Sequence, residues 1–299
     1  MVKRPRGLNT KEKDFKMATF YNQASISIGG RVTNSNITEG EIVNGLTLTK
    51  TAASSTYSAG GGITYIATIV NNGATDSAGL TFTDDLGAYT LPGGARTVTP
   101  LTYVDGSVLY YLNGVLQEAP TVTAGPPLTV GGITVPAGGS VTIVYEGLAN
   151  EFAPLAAGST IVNTASIDGC EVQTSVATVG TRDEAILSIA KAICPETVTC
   201  SGEITYTFII QNTGNTPVVA TDDLILNDTF TPALSGITVN LNGTPLAEGT
   251  GYTYDETTGA FATLPGAIPV PAATYVTDPE TGVITTTPGV ATVTVTGTI

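Results

Sequence analysis

Two lysines, two aspartates and two asparagines stand at matched places in this chain, and residues of these types can be joined as amide crosslinks. The chemistry is attack of a lysine amine on an asparagine side chain, with loss of ammonia. The amine must be neutral to attack, and burial lowers a lysine pKa by up to several units. A buried carboxyl beside the pair can bridge the amide, polarise its carbonyl and relay protons. One set is Lys50, Asp84 and Asn163; the other is Lys191, Asp228 and Asn22. Asp84 and Asp228 are the expected promoting acids. Glu146 is an alternative in the first set, but Thr296 stands at its counterpart in the second. The reaction needs no cofactor and turns over once, so such a chain would not be an enzyme in the usual sense. The competing reading is two ordinary Lys–Asp ion pairs near strand ends, with the asparagines capping turns.

The composition gives the lysines their weight. Of 11 Lys and Arg, six lie in residues 1–16, and beyond Met17 only Arg31, Lys50, Arg96, Arg182 and Lys191 follow. A lysine in an alternating strand is normally a solvated surface residue. Finding the only two lysines of the body at equivalent strand positions calls for a further reason. The chain of 299 residues has no His and no Trp, and its net charge is −14. Without His there is no His-based triad or His metal site, and the acidic balance argues against nucleic-acid binding.

The elements that must position these groups read as two copies of one module, residues 46–180 and 186–299. LTLTKTA (46–52) matches LSIAKAI (187–193), and GGITYIATIVNNG (61–73) matches GEITYTFIIQNTG (202–214). LTFTDDL (80–86) matches LILNDTF (224–230), and SVLYYLNGVLQ (107–117) matches GITVNLNGTPL (236–246), each with an Asn-Gly hairpin signal. GGITVPAGGSVTIVYEG (131–147) matches GAIPVPA (266–272) and then GVATVTVTG (289–297). Five blocks in one order establish a repeat. No segment holds a helical period over three turns, and short strands between turn residues predict an all-β chain. The expected fold is two tandem immunoglobulin-like β-sandwich domains, joined by the short polar link TRDEA (181–185). TYDETTGAF (253–261) and TYVTDPETGVI (274–284) read as acidic turns rather than calcium loops, and no metal is expected.

These blocks carry a resemblance. A strand ending in Lys, a Gly- and Tyr-bearing strand ending at Asn-x-Gly, then a strand ending in Asp, is similar to the prokaryotic surface-protein repeats known as domain of unknown function 11. It also resembles the D2-type fimbrial domains that form internal isopeptide bonds. The resemblance covers residues 46–180 well and 186–299 less completely, and it implies a surface protein with such bonds.

The repeat breaks at one point. The first module continues past Gly147 through NTASI (163–167), whereas the second stops at GTI (297–299), where its sibling has a further hairpin to come. The missing piece reads at the front: TFYNQASISIGGRVTNSNITEG (19–40) follows the pattern of TIVNTASIDGCEVQTSVATVGT (160–181). Asn22 then corresponds to Asn163, Ala24 to Ala165 and Ile26 to Ile167. Residues 18–45 are therefore expected to be a donor strand or hairpin, led by Phe20, Tyr21, Ala24, Ile26 and Ile28. Folding back within one chain would have to cross the whole first module, so insertion into the second module of a neighbour is expected, which is donor-strand complementation. Such a head-to-tail contact does not close and generates a filament.

Cys194 and Cys200 flank a turn and can form a local disulfide; Cys170 is left over as a free thiol, an intermolecular partner, or a partner of either. Residues 1–17 read as a disordered basic tail or an upstream start that is not used, with Met17 as the other start. They carry no apolar run of a secretory signal, and no later stretch reaches the length of a membrane span. The functional expectation is a structural subunit of an extracellular or spore-associated, pilus-like homopolymer at the cell or spore surface. It needs no small-molecule substrate and no nucleic acid. The alternative is a monomeric cell-surface adhesin or binding module of the same two domains.

Overall fold

A computed structural model of the chain describes residues 18–42, 45–94, 96–169, 171–199 and 202–299. The tail (1–17), Cys170 and Cys200 lie outside the described residues. The chain is all-β, with a single 3₁₀ turn at Ala220–Asp222 as the exception among the described residues. The period-two alternation read from the sequence is the period of burial: Ser140–Ala149 alternates buried residues with half-buried ones, Leu148 alone being exposed.

In the first module two six-stranded sheets face each other. One is built on Leu46–Ala52, Gly62–Asn71 and Ser140–Ala149, paired antiparallel in that order. The other runs Leu128–Val135, Ser77–Asp84, Thr160–Ile167, Gln173–Thr181. Between them lies one apolar core in which Tyr65, Phe82, Leu128, Ile143 and Tyr145 are fully buried. Both Asn-Gly turns form as expected: Asn113 and Gly114 have φ 48° and 79°, Asn242 and Gly243 φ 50° and 79°. Two successive left-handed residues make a type I′ turn, whose twist suits a two-residue hairpin.

The second module repeats the first sheet with Leu187–Cys194, Glu203–Asn212, Gly289–Thr298 and Ser235–Leu241. Its other layer is smaller: Asn227–Thr229, Ala260–Thr263 and Tyr252–Asp255. TYDETTGAF is thus part of this layer, because Ala260–Thr263 takes the place beside Asn227–Thr229 that Leu128–Val135 takes beside Ser77–Asp84. Thr274–Thr277 and Ile284–Thr287 form a separate hairpin. In both acidic turns the carboxylates accept backbone N–H groups, Asp255 from Thr257 and Asp278 from Glu280 and Thr281. Those bonds hold both carboxyls below the usual carboxylate range.

The two modules differ where the sequence repeat breaks. In the first, Thr160–Ile167 pairs with Ser77–Asp84, and Ser175 of the next strand accepts the Lys50 N–H through its hydroxyl at 2.8 Å. Leu46 and Leu48 are thereby reduced to 4% and 8% exposure. In the second, Asn227–Thr229 has its partner Ala260–Thr263 on one side and, among the described residues, none on the other. The matching Leu187 and Ile189 stay 41% and 57% exposed. An apolar strand face and a free strand edge lie open together, a combination that invites another strand.

The N-terminal segment is a long hairpin in two parts. Ala18–Asn22 pairs with Thr38–Ile42, and Ser25–Ile28 pairs with Arg31–Asn34 around the Gly29-Gly30 turn. Every hydrogen bond described for it is internal, such as Gln23 Nε2 to the Ser35 carbonyl at 2.8 Å. Phe20, Tyr21, Ile26, Ile28, Val32 and Ile37 are all exposed. Phe20 lies across Gly40, where a β-carbon would come within 2.3 Å of the ring. Glycine is what lets that ring lie flat on the opposite strand.

Candidate functional site: two lysine–aspartate centres

In the first module three strands converge. Leu46–Ala52 supplies Lys50, Ser77–Asp84 ends in Asp84, and Thr160–Ile167 supplies Asn163, all three buried. Each points inward for the same reason, an even step from buried apolar neighbours: Leu48 for Lys50, Phe82 for Asp84, Ala165 for Asn163. Lys50 Nζ sits 2.5 Å from Asp84 Oδ2, with both side chains inaccessible to solvent. The amine also lies 4.8 Å from the centre of the Tyr65 ring.

The turn after Asp84 completes the centre. Leu86 and Gly87 are both left-handed, φ 54° and 75°, which aims successive N–H groups into the site. Leu86 N–H donates to Asp84 Oδ1 at 3.0 Å, and Gly87 N–H donates to Asn163 Oδ1 at 3.1 Å. Asp85 locks the register of the asparagine strand, since its Oδ1 accepts from Thr164 N–H at 2.9 Å and from Gly87 N–H at 2.8 Å. Asn163 Nδ2 and the Tyr65 hydroxyl are buried and find no hydrogen-bond partner among the described residues. A buried amide nitrogen without an acceptor costs on the order of 1–3 kcal/mol, so this centre carries a standing penalty.

Burial pulls the Lys50 amine below its ordinary 10.5, against the opposing pull of the Asp84 carboxylate. Burial likewise pushes the Tyr65 and Tyr145 phenols up, so both keep their protons at neutral pH; the Asn163 amide beside them works weakly against that rise. An amine that can lose its proton, an acid in contact with it, and an amide oxygen already held by an N–H group are the groups that amide exchange would need. The Gly87 N–H would stabilise the oxyanion that forms on attack.

In the second module Lys191 Nζ contacts Asp228 Oδ2, and Asp228 Oδ1 accepts from Thr229 N–H at 2.9 Å. The amine lies over Tyr206, 4.5 Å from its centre, and near Phe208 and Phe230. This pair is open: the lysine side chain is 41% exposed. Asn22 is not brought to it within the chain. It lies exposed on the N-terminal hairpin, opposite Thr38.

Glu146, the alternative acid, is not at the centre. It alternates to the outer face of Ser140–Ala149, against Gly62, while its neighbour Tyr145 points inward. Period two makes adjacent strand residues face opposite ways. Tyr65 and Tyr145 are the residues that sequence reasoning missed. Both fall on the inward phase of their strands, but a buried aromatic there reads as core. Cys194 is exposed at the end of its strand. Among the described residues no cluster of His, Cys, Asp or Glu suited to a metal occurs, and no helix is long and apolar enough to cross a membrane.

No protein-family profile and no curated sequence matches this chain. Among solved structures it is similar to the pilus backbone RrgB of Streptococcus pneumoniae, at 12% identity and TM-score 0.33, covering 81% of this chain and 55% of that one. It is also similar to BcpA, the major pilin subunit of Bacillus cereus, at 14% identity and TM-score 0.33, covering 93% and 73%. A third similar structure is the collagen-binding subdomain of the Enterococcus faecalis surface protein ACE, at 9% identity and TM-score 0.29, covering 47% of this chain and 99% of that one.

Proposed function

We propose that this chain is the structural subunit of an extracellular or spore-surface filament, polymerising head to tail by donor-strand complementation and closed by Lys–Asn isopeptide bonds. One observation carries the reading. The open face around Lys191 and the edge of Asn227–Thr229, unpaired among the described residues, correspond to the place that Thr160–Ile167 fills in the first module, and an unpacked hairpin bears the matching sequence. On this reading the hairpin of one subunit enters the second module of the next. Phe20, Asn22, Ala24 and Ile26 then take the positions of Ile161, Asn163, Ala165 and Ile167, every one of them buried. Burying each Ile- or Phe-sized side chain contributes roughly 1.5–3 kcal/mol, and the strand edge gains its backbone partners.

The same step arms the chemistry. Insertion would take Lys191 out of water and set Asn22 where Asn163 sits relative to Lys50. In the first module the set is already assembled, so its bond forms within the chain. Both bonds have the same outcome: the amine gives a proton to the acid and attacks the amide carbon, and ammonia leaves.

The test is a denaturing gel of polymerised protein, boiled with reductant. The expected result is a ladder that survives both treatments; clean monomer would overturn the intersubunit bond. A pH dependence goes with it. Only the neutral amine attacks, and burial holds Lys50 below 10.5, so the rate of the internal bond should rise with pH and level off below that value. Timed intact-mass spectra of freshly synthesised chain across pH would read it, and a flat profile would contradict it.

A further inference from the structure

Tyr145 stands apart from the other aromatics of the core. Its hydroxyl donates to Asp84 Oδ2 at 2.5 Å, the same oxygen that contacts Lys50 Nζ. It pairs directly across the strands with Tyr65, ring centres 5.6 Å apart, and both phenols adjoin the Asn163 side chain. One phenol thus holds the acid and lies beside the amide. The second module lacks it. There the residue opposite Tyr206 is Val295, and the ring stacked on Tyr206, at 4.8 Å, is Phe230, which has no hydroxyl.

We propose that Tyr145 is a positioning and proton-relay residue for bond formation between Lys50 and Asn163, and that the second module makes its bond without such a relay. The inference rests on the crosslinking reading above. The titratable groups facing Lys50 are Asp84, Asp85, Tyr65 and Tyr145, and Tyr145 is the phenol that holds the acid. By donating to Oδ2 it spreads the carboxylate charge and loosens its grip on the ammonium.

The Lys50 ammonium gives one proton to Asp84 and becomes an amine. Its lone pair bonds to Asn163 Cγ, and the charge moves to Oδ1, where Gly87 N–H holds it. As the Cγ–Nδ2 bond breaks, a second amine proton passes through Asp84 and Tyr145 to Nδ2. The nitrogen departs as ammonia, the new amide keeps one hydrogen, and Asp84 keeps the first proton. Nδ2 has no acceptor holding its hydrogens in place, so nothing must be broken to let it leave.

The experiment is timed intact-mass spectrometry of the full chain after cell-free synthesis, at a series of pH values, for wild type, Tyr145→Phe and Tyr65→Phe. Phenylalanine keeps the stacked ring, so packing is retained. Tyr145→Phe should slow loss of the first ammonia on the order of 10²-fold and move the midpoint of the pH profile upward. A purely structural role would leave that midpoint in place. Wild-type rate and midpoint in Tyr145→Phe, or a slowing confined to Tyr65→Phe, would overturn the relay. A wild type that never loses ammonia would overturn the crosslink itself, and the relay with it.

Discussion

Replacing Lys50 with alanine should abolish the internal bond and cost the first module most of its stability. Two effects act together. The bond would close a loop from Lys50 to Asn163, and in the chain-entropy model a crosslink around a loop of about 100 residues contributes about 4.7 kcal/mol. The substitution also leaves the buried Asp84 carboxyl without the Lys50 nitrogen it contacts; a buried polar group that loses its partner costs roughly 1–3 kcal/mol. A domain holds roughly 5–15 kcal/mol in all. Thermal unfolding of the variant should therefore show the first module melting far below wild type, with a mass one ammonia heavier per lost bond. Asn163→Ala separates the two effects, since it removes the bond and keeps the ion pair. Equal masses in wild type and Lys50→Ala, corrected for the substitution, would contradict the internal bond.

Deleting residues 18–42 should abolish polymerisation while leaving the first module folded. The described hydrogen bonds of that hairpin are internal, and Phe20, Tyr21, Ile26, Ile28, Val32 and Ile37 are exposed, so the module gives up no buried contact with them. What disappears is the strand that, in the proposed filament, covers the open face of Leu187–Cys194. Size-exclusion chromatography with light scattering would read this as monomer at concentrations where wild type forms chains. Polymer from the deleted variant would show that the hairpin is not the donor. Asn22→Ala is the finer version: strand exchange should persist, and the ladder on a denaturing gel should be lost.

Much of this was legible because strand physics is local. Alternation named the strands, and the Asn-Gly pairs named the turns at 113–114 and 242–243. The repeat put Lys50 against Asp84 and Lys191 against Asp228, and both contacts form. Glu146 was one residue out of phase, although the apolar run Val141, Ile143, Tyr145 already marked the inward side. Tyr145 was missed for the converse reason: its position reads as core, and only the hydroxyl's aim at Asp84 distinguishes it from a phenylalanine. The backbone N–H groups of Leu86 and Gly87 carry no sequence motif, because a left-handed pair that includes a leucine is not written in residue types. The hairpin's proposed role could be read only by comparing two distant stretches of the chain, since its described hydrogen bonds are all internal.

In the proposed filament Lys191 of one subunit is bonded to Asn22 of the next. Polymer assembled from equal parts of isotope-labelled and unlabelled chain, digested and measured by mass spectrometry, tests it most directly. The expected product is a branched peptide joining the Lys191 and Asn22 segments, lighter by one ammonia, half of it with one labelled and one unlabelled arm. Linear, full-mass peptides from both segments, or branched peptides whose arms always carry the same label, would contradict it.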